Sequence, residues 1–287
     1  MPEGDTIHKH AAALSARLAG KPIEALHVRG RLLPEFAGAP IVSIEPRGKH
    51  LLMTVGDRAV IHLHLGINGS IRMTPAGTVP AWSFQRASLA LVADGVAAVV
   101  TRAAVVELVR AAFLHAHPAL QALGPDLLAP DADAQIDAIV VRARSRTRAA
   151  PNLAVADMLL DQRIACGLGN VYKSELLFLE RLDPWARVGD LSDAALSQLY
   201  TRGAALLRGN LGPWRRTTTA DRSRDEWIPR GRGRTFVYGR KNRPCVECGT
   251  IIQSRRQGGS ALPFGRRAVD EERMTYFCPQ CQRGTTG

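Results

Sequence analysis

The chain is short of acidic residues, sparing with cysteine and without any long hydrophobic run. No uninterrupted apolar segment approaches the roughly 20 residues that a membrane-crossing helix needs, so no membrane partner is expected. Residues 1–20 carry Glu3, Asp5, Lys9 and Arg17 where a secretory leader would place an apolar stretch after a basic start. An intracellular protein, cytoplasmic and nucleoid-associated, is predicted. Five cysteines in 287 residues are too few for a disulfide scaffold, and in a reducing compartment they serve as metal ligands or packed thiols. No internal repeat is present, which excludes a solenoid. Disorder throughout is excluded as well, because apolar residues make up 46% of the chain and charged ones 22%.

The acid deficit is uneven. The 26 Asp and Glu face 38 Lys and Arg, a net charge of +12. Residues 201–287 hold 18 basic against 7 acidic residues, which accounts for +11 of that total. A basic C-terminal region of this size favours a polyanionic partner over a small neutral one.

Three regions emerge along the chain. Ile7, Ala11, Leu14 and Leu18 recur at helical spacing, so a helix is predicted over 5–19, with Asp5 or Thr6 as its N-cap and Gly20 as its stop. Alternating apolar and polar positions around glycine turns then predict short strands over 41–110, closing as a β sandwich or barrel, to about residue 128. From about Ala134 the pattern turns helical. The segment PNLAVADMLLDQRIACGLGNVYKSELLFLERL reads as two helices around a glycine turn, with Asn170 capping the second, and Ser192 caps a further helix. Residues 212–235 read as a connector, and 235–287 as a separate small module. The expected class is α+β, with domains over 1–128, 129–234 and 235–287.

The last module contains CVEC at Cys245 and Cys248 and CPQC at Cys278 and Cys281. Two such knuckles supply four thiolates for one structural Zn²⁺, a closed set with no position left for catalysis; two buried thiol pairs are the alternative that this spacing disfavours. Cys166, in a glycine turn, is read as a packed small residue. The opening MPEG also admits two readings. Loss of Met1 would leave Pro2 with a secondary amine able to attack an aldehydic carbon and form an iminium, with Glu3 beside it as general acid; alternatively PEG is a polar lead-in to a helix. Lys49 in PRGKHLL, and His62, His64, Ile67 and Asn68 in HLHLGINGS, stand at turns that could edge a groove. Gly167 to Asn170 could seat a phosphate at a helix start, or simply cap that helix.

Taken in order, MPEG, RGKHLL, HLGINGS, LLDQRIACGLGNVYKSELLF, VYGRKNRPCVECGT and TYFCPQCQ resemble the formamidopyrimidine-DNA glycosylase and endonuclease VIII family of base-excision repair enzymes over nearly the whole chain. The resemblance implies an N-terminal β sandwich, a helix-two-turns-helix domain, a zinc finger hairpin and a partner in damaged double-stranded DNA, bound by a monomer. It assigns Pro2 as nucleophile on C1′, Glu3 as catalytic acid and Lys49 as a phosphate contact assisting catalysis. Asn170 and Arg273 would grip phosphates around the flipped nucleotide. Ile67, followed by Asn68, would fill the gap left in the base stack.

The branch is read from what is missing. The guanine-lesion enzymes carry a PRRFG-like motif and a GGTTL-type segment. Here the corresponding stretches read VAAVVTRAAVV and GPWRRTTTADRSRDEWIPRGRGRTF, while LLDQ looks like endonuclease VIII. Oxidised pyrimidines are therefore the expected substrates, with nicking by β,δ-elimination. The alternatives are an oxidised-purine glycosylase and a non-catalytic zinc-ribbon protein that binds DNA or senses damage. The insert QSRRQGGSALPFGRRAVDEE is atypical of the finger.

Overall fold

The structure, a computed structural model, describes residues 2–213, 215–219, 234–257 and 273–283. It divides into two compact units, Met1–Ala122 and Leu123–Gly287. The connector predicted over 212–235 and the finger insert lie largely outside the described residues.

The first unit opens with α1 (Gly4–Leu18), followed by β1 (Ile23–Val28) and β2 (Arg31–Leu32). Strands β3 (Ile41–Arg47), β4 (His50–Val55), β5 (Ala59–His64) and β6 (Ser70–Pro75) lead to a short α2 (Ala81–Arg86). Strands β7 (Leu89–Ala93), β8 (Val96–Thr101) and β9 (Val105–Arg110) precede α3 (Pro118–Gln121). Two antiparallel sheets result, ordered β2-β1-β7-β8-β6 and β3-β4-β5-β9. Their inward residues, among them Leu26, Ile44, Met53, Ile61, Leu63, Leu91 and Val100, form one core with Ile7, Leu14 and Leu18 of α1.

The predicted β sandwich is present, and it begins earlier than the alternation indicated. Glu24 and His27 interrupt the apolar pattern of β1, but pairing with β7 along Ile23–Val28 sets the strand. Helix α1 also starts earlier. Glu3 rather than Asp5 or Thr6 occupies the N-cap, and its carbonyl accepts from the amides of Thr6 at 2.9 Å and Ile7 at 3.1 Å. The helix stops as predicted, with Gly20 at φ +79°.

The second unit contains α4 (Ile136–Ala149), α5 (Val155–Leu160), α6 (Asn170–Leu179) and α7 (Asp193–Arg208), then a hairpin of β10 (Gln253–Gln257) and β11 (Arg273–Phe277). Leu159, Leu168, Tyr172, Leu176, Leu199 and Tyr200 are among the residues of the helical core. Ser192 caps α7, its Oγ accepting the Ala195 amide at 3.1 Å. A smaller cluster joins Phe178 of α6 to Val237, Cys245, Ile252 and Cys278, so the cysteine module is packed onto the helix.

Buried polar groups make the same connection. Glu175 of α6 is fully buried, and its carboxylate accepts from the backbone amides of Phe236, Val237 and Tyr238 at 2.7–2.8 Å and from the Thr218 hydroxyl. Burial pushes this carboxyl up while the four donors oppose the shift. Lys173, also buried, donates to Thr275 Oγ1 at 2.7 Å; that hydroxyl donates to Gln257 Oε1 at 2.7 Å, and Gln257 Nε2 donates to the Pro184 carbonyl at 3.0 Å. Every link has a partner, as buried polar groups require.

Glu175→Gln exchanges one accepting oxygen for a donor and leaves a buried amide or hydroxyl without an acceptor. We expect a loss of about 2–4 kcal/mol, measured as a lower urea midpoint for the unit with secondary structure otherwise retained.

Candidate nucleic-acid and catalytic site

In the first unit the strand register brings three turns to one end of the sandwich. Arg47 pairs with His50 across the two-residue turn Gly48-Lys49, and Gly48 at φ +57° supplies the positive torsion such a hairpin turn demands. His50 in turn pairs with His64, the last residue of β5. From there the chain crosses to the other sheet through Leu65–Gly69 and re-enters at Ser70, opposite Thr101, with their hydroxyls 3.0 Å apart. The return crossing, Arg102–Ala104, lies alongside. A Cβ added at Gly66 would come within 2.9 Å of the Ala104 methyl, and one at Gly69 within 2.2 Å of the Leu65 carbonyl oxygen. Two glycines thus fix the loop that holds Ile67, 49% exposed, at its tip beside exposed Asn68. Lys49, Ile67 and Asn68 are brought to one end.

Pro2 and Glu3 stand at the start of α1. Pro2 is partly exposed, whereas Glu3 is fully buried and makes no capping hydrogen bond with its side chain.

Behind the Lys49 turn lies a group of histidines whose arrangement linear spacing does not reveal. His50 Nδ1 is 2.8 Å from His62 Nε2, and His62 Nδ1 is 3.3 Å from Glu107 Oε2. The same oxygen is 2.9 Å from His117 Nε2. The His64 ring is 4.8 Å from that of His50, and its Nδ1 accepts the Gly66 amide at 3.2 Å. His62 is buried and partnered in the sheet face rather than at a groove edge. Burial, with the neighbouring imidazoles and Lys49, lowers His50 to about 3; burial, then Lys49 and His62, lowers His64 to about 4. Burial also lowers His62, against Glu107, which favours its cation. Partial burial disfavours ionised Glu107, but hydrogen bonds from His117 and His62 hold it below the usual carboxylate range.

In the second unit, Asp161 and Gln162 of LLDQ brace the glycine turn. Asp161 pairs with Arg163 at 2.7 Å and Arg146 at 3.1 Å; Gln162 donates to the Leu160 and Leu168 carbonyls and accepts the Gly167 amide at 3.1 Å. Gly167, at φ +118°, turns the chain into α6. Gly169 is the N-cap, so Asn170 is the first helical residue rather than the cap. Its side-chain amide instead donates to the Met274 carbonyl at 3.0 Å, while its Oδ1 is buried and has no partner among the described residues. Asn170 is thereby brought to the finger hairpin one residue from Arg273, which opens β11 opposite Gln257. Cys166 is fully buried within the backbone of the turn, as read from the sequence.

The four remaining cysteines converge, with their sulfurs all within 4.8 Å of one another. Cys248 Sγ lies 3.5 Å from both Cys278 and Cys281, and Cys245 Sγ lies 3.9 Å from Cys281. A tetrahedral ion with bonds of about 2.3 Å requires sulfur separations of about 3.8 Å. The amides of Glu247 and Cys281 point at Cys245 and Cys278 sulfurs at 3.5 and 3.4 Å, orienting them as acceptors. The four residues fit a metal ion.

A sandwich entered through a Pro-Glu-Gly helix start, a helical domain built around a glycine turn and a four-cysteine hairpin together define a class of DNA glycosylase fold. Residues 1–102 match the formamidopyrimidine-DNA glycosylase N-terminal domain, and residues 123–219 match the H2TH domain of the same family. The chain belongs to the formamidopyrimidine-DNA glycosylase family. It is 38% identical to a probable endonuclease 8 2 of Streptomyces coelicolor over 99% of this chain and 95% of the other. It is 36% identical to the DNA-(apurinic or apyrimidinic site) lyase Nei2 of Mycolicibacterium smegmatis, over 98% and 99%. Against a formamidopyrimidine-DNA glycosylase of Geobacter sulfurreducens the identity is 31%, over 99% and 100%. The fold is that of the Lactococcus lactis enzyme solved with abasic-site DNA, with a TM-score of 0.73 at 20% identity over 98% of this chain and 99% of that one.

The histidine group makes stability depend on acid. His50 and His64 resist protonation in the folded protein, whereas the unfolded chain takes up protons below about 6.5. Stability is therefore complete above that pH and falls as the pH drops toward the folded values near 3 and 4. At pH 5 the expected loss is about 2 kcal/mol for each histidine. Urea midpoints between pH 7.5 and 5 should show it, and His50→Gln should flatten the slope.

Proposed function

We propose that the protein is a bifunctional DNA glycosylase and AP lyase of base excision repair, acting as a monomer on damaged double-stranded DNA. The observation that carries this reading is the chemical pair at the start of α1, a fully buried carboxyl group, that of Glu3, joined directly to Pro2. With Met1 removed, the Pro2 nitrogen attacks C1′ of the damaged nucleotide. A C–N bond forms as the bond to the base breaks, the departing base takes up the proton that the Pro2 nitrogen loses, and Glu3 delivers a proton to the sugar ring oxygen as the ring opens to the iminium. The iminium acidifies the adjacent sugar carbon, so loss of the 3′ and then the 5′ phosphate nicks the strand by β,δ-elimination. Lys49, on its hairpin turn, contacts a phosphate beside the lesion. Asn170 and Arg273, held together through Met274, grip the phosphates around the flipped nucleotide. Exposed Ile67, with Asn68 beside it, occupies the vacated stack and offsets the few kcal/mol that extrusion costs.

One structural Zn²⁺ on Cys245, Cys248, Cys278 and Cys281 would hold the finger in shape, and binding it contributes directly to folding. The protein would act in the cytoplasm, at the nucleoid, and no helix among the described residues is long and apolar enough to cross a membrane. We assign three domains: 1–128 as the catalytic sandwich, 129–234 as the helical domain with its linker, and 235–287 as the finger.

Oxidised pyrimidines are the proposed substrates. The higher identity to the relatives named endonuclease 8 and Nei2 supports this. So does the crossing Thr101–Ala104, a tight turn whose Ala104 packs on Gly66 and which carries Arg102 but no Phe to add an aromatic wedge.

Borohydride trapping on duplexes bearing an oxidised pyrimidine, an oxidised guanine or an abasic site tests chemistry and branch together. An adduct on Pro2, strongest with the pyrimidine lesion, is expected, and Pro2→Gly should lose at least 100-fold in excision while still binding DNA. Absence of any adduct after removal of Met1 would point to a non-catalytic binding protein, and preference for the oxidised guanine would reassign the branch. Arg273→Ala should lower the salt dependence of lesion binding by about one phosphate contact; an unchanged slope would take Arg273 out of the phosphate grip.

A further inference from the structure

The histidine group on the outer face of the β3-β4-β5-β9 sheet has no part in the proposed reaction. It gathers four of the chain's eight histidines, His50, His62, His64 and His117, around one carboxylate. Three separate segments supply its centre. His62 stands on β5, Glu107 lies directly opposite on β9, and His117 arrives from the turn that follows β9.

The geometry points to a second metal site in this protein, in which His62 Nδ1, Glu107 and His117 Nε2 bind a divalent transition ion of the zinc class. Three features carry it. The donor atoms lie within 4.8 Å of one another, at 3.3 Å from His62 to Glu107 and 2.9 Å from Glu107 to His117. Nitrogen and oxygen ligands bound at about 2.0–2.1 Å in tetrahedral or octahedral arrangement stand about 2.9–3.4 Å apart. Two imidazoles and a carboxylate are also the donor set that zinc and its neighbours in the first transition row favour.

At His62 the surroundings fit as well. An imidazole that ligates through one nitrogen is oriented by a hydrogen bond from the other. With Nδ1 of His62 on the ion, its Nε2 keeps the proton and donates to His50 Nδ1 at 2.8 Å. The side chain of Glu107 is 47% exposed, which leaves a path for the ion and room for water in the remaining positions. Such an ion would tie β5 to β9 and to the 111–117 segment, at the end of the sheet that carries the Lys49 turn.

The test is metal stoichiometry on the full chain with its four-cysteine site already loaded. Titration with Zn²⁺, followed by gel filtration and elemental analysis, should show one further equivalent per chain bound at micromolar or lower concentration. With Co²⁺ that equivalent should appear as weak visible bands typical of nitrogen and oxygen ligands, separate from the intense thiolate-to-cobalt absorption of the cysteine site. Glu107→Gln and His117→Ala should each weaken it at least tenfold and leave the thiolate band unchanged. Glu107→Gln keeps the side-chain shape at an exposed position, and a circular dichroism spectrum matching that of the unsubstituted protein would establish that it folds. A single equivalent in the unsubstituted protein, uptake only at millimolar metal, or a second equivalent undisturbed by both substitutions would overturn the site and leave a hydrogen-bonded bracket.

Discussion

The second unit depends on one buried carboxylate. Glu175 sits on the middle turn of α6 and receives three successive backbone amides from the segment that leads into the cysteine module, together with the Thr218 hydroxyl. A stretch of backbone without regular secondary structure is expensive to bury unless each amide finds an acceptor, and here one side chain accepts all three. Whatever holds Glu175 in place therefore also fixes where the hairpin starts. Phe178, one turn further along, adds its ring to the small core containing Cys245 and Cys278. The same helix begins at Asn170, whose side chain bonds to Met274 of the hairpin. One ten-residue helix thus follows the glycine turn at one end and supplies the foundation of the finger along its side.

The first unit solves a different problem, that of presenting short turns rigidly. Lys49 and Ile67 are not neighbours in sequence, yet antiparallel register brings their turns to one end through the His50–His64 pair. Glycine makes this possible at Gly48, where the torsion is positive, and at Gly69, where the Leu65 carbonyl leaves no space for a methyl group. These side chains are correspondingly carried on loops while the strands provide position.

Much of this was legible in the sequence where one residue type carries the signal. The cysteine knuckles, the Ser192 cap, the glycine turn before α6 and the Gly20 stop all follow from local chemistry. The start of α1 did not, because Asp5 and Thr6 are good capping types while the helix is in fact entered from Glu3. Strand β1 was hidden by Glu24 and His27, whose polar side chains break an alternation that β7 restores by pairing. Asn170 was placed correctly but is not the helix cap: Gly169 takes that position, and the Asn170 amide bonds to Met274, more than 100 residues away. The buried set of Glu175, Lys173, Thr275 and Gln257 was illegible for the same reason. Glu and Lys in a helix read as surface residues until the distant donors and acceptors that satisfy them are brought to their side. The histidine group is a further case, because strand register places residues 50, 62 and 107 together and the segment after β9 brings His117 back to them.

The loop bearing Ile67 is also the corner at which the chain leaves one sheet and enters the other. Its length is dictated by the gap it must bridge, with the Leu65 carbonyl bonded to the Gly69 amide on one side and the Ser70–Thr101 pair on the other. An inserted or deleted residue there would shift the pairing of β5 or β6 and turn core side chains outward. Diversity at this corner is therefore confined to the identity of two side chains at fixed spacing, and the depth to which the tip can project is a property of the sandwich itself.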